Sequence, residues 1–151
     1  MAVWIYPHRD LDEPSYPDGS RVLRPAVPIV VAPGVPSVLG IVDSGSPASV
    51  ADATLFDLLG VNVDQDEPLF EIPLTVGGRF ASTPVYEVRL WLQQPGPGAE
   101  LLEWSLPLGA RRGWKLPFGM LLGQRGWFDR FPTRIDTATS TVEVDRADDD
   151  V

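Results

Sequence analysis

Apolar and polar positions alternate most regularly over residues 84–92, where valine, tyrosine, leucine and tryptophan are interleaved with Glu87 and Arg89. That period of two predicts a half-buried strand. Shorter apolar runs predict further strands at residues 3–6, 25–31, 37–42, 71–76 and 101–106. Pro28 marks the second of these runs as an edge or a bulge, because proline cannot donate to a ladder. Residues 3–6 have the length of an edge or interface strand, and residues 7–20 form a polar, Pro/Asp-rich loop. Met120-Leu121-Leu122 is a buried apolar run that stops at Gly123. Two segments carry helix signals instead. In residues 46–60, Ser46 suits an N-cap, Pro47 the first turn and Gly60 the stop, with Leu55, Phe56, Leu58 and Leu59 as the core face. A short helix is expected over residues 124–131, offering Trp127, Phe128 and Phe131 for packing, and a final hairpin turns around residues 136–140.

The 16 prolines and 14 glycines agree with short strands and tight turns rather than long helices. At 151 residues the chain fits one domain with a single core. An N-terminal strand and polar loop (1–24), a main domain (25–144) and an acidic tail (145–151) expected to fray are its natural divisions. A net charge of −9 gives no positive stripe for nucleic acid and would be repelled by an anionic membrane surface. Neither is expected as a partner. No apolar run is long enough to span a bilayer and the start has no basic leader, so a cytoplasmic location is expected. The chain has no cysteine, which excludes disulfides and thiolate chemistry, and one histidine, His8, which reads as a solvated loop residue. Trp104 and Trp114 read as core or loop packing, and residues 111–115 as a basic loop.

The candidate chemistry lies at Asp43-Ser44-Gly45. Ile41-Val42 would deliver Asp43 into an apolar place, where an ionised carboxylate must be hydrogen-bonded, paired or protonated. Ser44 supplies a hydroxyl, and Gly45 a tight turn with an accessible backbone N–H. Such a tripeptide arises by chance in roughly one chain in ten of this length. By itself it reads more readily as an ordinary Asx-turn after a strand.

Its surroundings add order: an apolar strand, Asp-Ser-Gly, a segment ending Leu58-Leu59-Gly60-Val61, a hairpin with Val76-Gly77-Gly78 at its tip, then Leu121-Leu122-Gly123 followed by Gln124-Arg125-Gly126-Trp127-Phe128-Asp129. This arrangement, over residues 24–144, resembles the retropepsin-like aspartic proteases, and the single-domain bacterial members in particular. The resemblance implies an all-β, single-lobed closed barrel with one or two short helices and a flap hairpin. Asp43 would be the catalytic carboxylate. Ser44 would bond across a dimer to its twin loop, and Gly45 would offer backbone contact. Val76, Gly77 and Gly78 would form a flap over substrate. Leu121, Leu122 and Gly123 would support the active-site turn. The resemblance also narrows the first helix to about residues 51–59.

Aspartic-protease chemistry needs two carboxylates, and one such site is present, so a homodimer is implied, hydrolysing a peptide or protein substrate without metal or cofactor. Many retroviral relatives carry an alanine and an aspartate after the catalytic glycine, and pair that aspartate with an arginine after the second glycine. Here those places hold Ser46, Pro47 and Gln124. A catalytically silent barrel that binds peptides or a protein partner, and a structural domain in which Asp43 is a turn residue, are the competing readings.

Overall fold

The structure, a computed structural model, describes residues 3–13 and 15–146. Residues 1, 2 and 14 of the N-terminal segment and 147–151 of the acidic tail lie outside the described residues. The strands are β1 (Val3–Pro7), β2 (Arg9–Asp10), β3 (Leu23–Arg24), β4 (Ala26–Val30), β5 (Val38–Val42), β6 (Ser49–Asp52), β7 (Phe70–Val76), β8 (Arg79–Gln93), β9 (Leu101–Arg111), β10 (Met120–Leu122), β11 (Thr133–Asp136) and β12 (Thr141–Asp145).

Six strands close a barrel in the order β4-β5-β10-β6-β9-β8, sealed where Ile29 and Val30 of β4 pair with Leu92 and Trp91 of β8. Closure removes the unpaired edges that would otherwise template aggregation. Pro28 is accommodated because the β4–β8 ladder covers only Ile29 and Val30. Strand β4 is therefore paired on both sides rather than being an edge. Alternation along β8 and β9 sends Val88, Leu90, Leu92, Trp104, Leu106 and Leu108 inward, while Glu87 and Arg89 stay exposed. Val27, Ile29, Leu90, Leu92, Leu108, Met120 and Leu122 are inaccessible to solvent. Burying each such side chain contributes about 1.5–3 kcal/mol.

β1, β12 and β11 form a separate antiparallel sheet with β1 at its edge. Trp4 and Tyr6 of β1 point into the main core, where the Tyr6 hydroxyl donates to the Gln93 carbonyl at 2.7 Å. His8 is half-buried rather than solvated, with Nε2 3.2 Å from the Thr141 carbonyl.

The helix expected over residues 46–60 does not form. Ser49–Asp52 is instead a strand, paired with β9 on one side and β10 on the other. A single 3₁₀ turn follows at Ala53–Leu55, capped by the Asp52 carboxylate accepting from Thr54 N at 3.0 Å. The narrower range 51–59 fails for the same reason. Ser46 does not cap a helix: its hydroxyl donates to the Ala48 carbonyl at 2.7 Å. Phe56 is buried as expected, but Leu58 is exposed. Residues 124–131 form successive turns rather than a helix, interrupted where Gly126 adopts φ +107°. Trp127 and Phe131 are nevertheless fully buried there, and both rings meet Trp104 edge-on. No helix among the described residues is long and apolar enough to cross a membrane.

Candidate active site

The site begins with the insertion of β10 between β5 and β6. β10 runs parallel to β5, with Leu122 opposite Val42, and antiparallel to β6. Parallel pairing sends the chain out of both strands at the same end, so Asp43 and Gly123 emerge side by side. The Asp43 amide continues the ladder, donating to the Leu122 carbonyl at 2.9 Å. The chain then turns at once, and Ser46 N donates back to the Asp43 carbonyl at 3.1 Å.

Within this turn the half-buried Asp43 carboxylate accepts from Gly45 N through Oδ1 at 2.9 Å. Among the described residues no protein donor is bonded to Oδ2, and no cation pairs with the group. One oxygen is thus fixed and the other is free for a proton, a water or a second carboxylate. Gly45 stands so close that a Cβ there would sit 3.3 Å from Oδ1. Ser44 is exposed.

The loop is laced to the segment after β10. Gln124 N donates to the Ser46 carbonyl at 2.8 Å, and Arg125 N to the Pro47 carbonyl at 3.2 Å. The Gln124 side chain donates from Nε2 to the Ser44 carbonyl at 2.6 Å. Ser46, Pro47 and Gln124 stand where the sequence departs from the retroviral ion pair, and a neutral link joins the two loops there. Behind them, buried Ser49 accepts from Gly123 N at 3.0 Å and donates to the Arg125 carbonyl at 2.9 Å. Leu122 and Gly123 are buried beneath the turn, and Leu121 is half-buried. Sequence reasoning missed Ser49, which lay inside the expected helix. Its signal was a lone hydroxyl directly before the apolar pair Val50-Ala51.

Val76, Gly77 and Gly78 form the tip of the β7–β8 hairpin. Gly77 and Gly78 have φ of +58° and +80°, the mirror-image turn that suits the twist of paired strands. A Cβ on Gly77 would meet Leu116 Cδ2 at 3.4 Å, so the tip rests on the loop that follows β9. Leu116 packs in turn with a cluster containing Ile41 and Leu121, on the two strands that deliver Asp43 and Gly123. The hairpin is braced from beneath by Arg111. Its Nη1 donates to the Leu74 carbonyl at 2.8 Å and Thr83 Oγ1 at 3.2 Å, and its Nη2 to the Arg79 carbonyl at 2.8 Å. Arg111 therefore ends β9 as a buried residue and does not belong to an exposed basic loop. Burial first, and then the nearby Arg79 cation, lower its pKa from the ordinary arginine value. Trp104 is core packing, its Nε1 donating to the Gly126 carbonyl at 2.9 Å, and Trp114 donates to the Phe118 carbonyl at 2.6 Å.

No family model matches the chain, and no curated protein does either. Among solved structures it is similar to a retropepsin-like aspartic protease from Rickettsia conorii, with a TM-score of 0.51 over 95% of this chain and 90% of that one. The fold is retropepsin-like. Sequence identity across that match is 14%, so the likeness speaks to the fold alone.

Proposed function

We propose that this retropepsin-like chain is an aspartic endopeptidase that works as a homodimer, with two Asp43 carboxylates facing each other across a two-fold axis. The observation that carries this reading is the state of Asp43. It leaves the parallel β5–β10 pair with Oδ1 held by Gly45 N, while Oδ2 has no protein donor among the described residues. A symmetric pairing would bring two such groups together from identical loops. Two carboxylates a few ångströms apart do not both ionise readily, so the pair would share one proton over a wide pH range. The ionised member would take a proton from a water molecule. The protonated member would polarise the peptide carbonyl and later protonate the leaving amine. Ser44, exposed beside Asp43, would bond across to the partner's loop. The β7–β8 hairpin would cover an extended peptide and exclude water from the reaction.

Asp43→Asn is the direct test. It preserves the side-chain oxygen that accepts from Gly45 N but removes the titratable group. Peptide hydrolysis is expected to fall by at least 1,000-fold while folding and the dimer persist. Undiminished cleavage would refute the reading. A chain that binds extended peptides without cleaving them would be a silent barrel of the same fold.

A further inference from the structure

The chain carries a net charge of −9, yet four of its 12 Lys and Arg residues line one small cavity that no acidic side chain lines. The cavity measures about 130 Å³ and lies between the tip of the β7–β8 hairpin and the loop after β9. That is roughly ten times the ~10–15 Å³ needed to admit one water. Its cations are Arg79, Arg111, Arg112 and Lys115. Arg112 is paired with Asp64. The other three have no carboxylate partner among the described residues.

Arg111 is 5% exposed, and its guanidinium is satisfied by neutral oxygens. A buried cation without a counter-charge is costly, and a neighbouring cation adds to that cost. Arg79 is such a neighbour: it lowers the Arg111 pKa, and its own Nη1 donates to the Gly113 carbonyl at 3.3 Å on the cavity wall. The result is a positive potential in a recess that salt screens less than open surface. The recess also has an address. Val76 and Gly77 of the hairpin tip form one wall. Trp114 and Leu116 form the other, and both pack on the cluster containing Ile41 and Leu121. An extended peptide held beneath the hairpin would run past its mouth.

We propose that this recess is a specificity subsite that accepts an aspartate or glutamate side chain of the substrate, with Arg79 and Lys115 as its direct partners and Arg111 setting the potential behind them. The assignment of the ligand to a peptide rests on the protease reading above. The subsite makes the chain selective for acidic sequences that its own net charge would otherwise repel.

The test uses the full chain carrying Asp43→Asn, so that peptides bind without turnover, and decapeptides that differ only in Glu or Gln at successive positions. At one position Glu is expected to bind at least fivefold tighter than Gln. The preference should weaken with added sodium chloride and vanish when Arg79→Gln and Lys115→Gln are combined. Glu and Gln binding within twofold at every position would overturn the proposal, as would a preference that survives both substitutions or the absence of any peptide binding. Cleavage is measured separately with Asp43 intact. Cleavage without an acidic preference refutes the subsite alone, whereas an acidic preference without cleavage refutes the protease reading alone.

Discussion

Gly123→Ala concentrates the structural argument in one methyl group. A Cβ at position 123 would stand 2.3 Å from the Ala48 carbonyl oxygen, 2.5 Å from the Ser46 carbonyl oxygen and 2.9 Å from the Ala48 carbonyl carbon. All three atoms are backbone, so no side chain can swing aside. Relieving the first contact to an ordinary van der Waals distance moves the Asp43 loop by roughly 1 Å. That displacement breaks or stretches the bonds from Gln124 N to Ser46 O, from Arg125 N to Pro47 O and from Gly123 N to Ser49 Oγ. Overpacking costs about 1–3 kcal/mol, and each lost bond a further ~0.5–1.5 kcal/mol. The expected loss is about 2.5–7.5 kcal/mol, which lowers Tm by roughly 5–30 °C for a chain of this size. Urea unfolding monitored by tryptophan fluorescence measures it. Gly78→Ala is the control, since a Cβ there meets nothing within 4 Å and only its φ of +80° is strained. It should cost about 1 kcal/mol. If Gly123→Ala costs less than Gly78→Ala, the laced-loop account is wrong.

Two further outcomes follow from buried polar groups. Arg111→Met removes the donors to Leu74 O, Arg79 O and Thr83 Oγ1, so amide exchange across residues 74–83 should accelerate at least tenfold, about 1.4 kcal/mol, with β4 and β5 unaffected; an unchanged hairpin would contradict the bracing role. Burial raises the Tyr6 pKa above its ordinary value of 10.0, partly offset by the Arg146 cation. The folded state therefore holds the phenolic proton more tightly than the unfolded state, so this stability is complete below pH 10 and declines as pH rises above it. Tyr6→Phe should flatten that alkaline decline while losing the bond to Gln93 O, and urea titrations between pH 8 and roughly 11 read both effects.

Local signals located the elements whose partners scarcely matter. Residues 84–92 alternate because one face of β8 meets the core along its length, and the Gly77-Gly78 turn is dictated by backbone conformation. Residues 46–60 misled because Ser46, Pro47 and Gly60 satisfy helix-end chemistry locally. Ser49–Asp52 becomes a strand only because β9 and β10, more than 50 residues away in sequence, pair on its two sides. Asp43, Ser44, Gly45 and Leu121 to Gly123 were legible as motifs, and the parallel β5–β10 pairing explains their adjacency. The roles of Gln124 and Arg111 were not legible. Each depends on carbonyls from distant segments, which leave no trace in side-chain identity.

In the proposed mechanism, Asp43 becomes catalytic only when a two-fold axis passes beside it. The measurement that tests it most directly is the distance between the two Asp43 carboxylates in a crystal structure of the purified assembly. The account predicts a symmetric dimer with the carboxylates about 3 Å apart, close enough to share a proton. A monomer, or a dimer that holds them beyond roughly 6 Å, about two hydrogen-bond lengths, would contradict it.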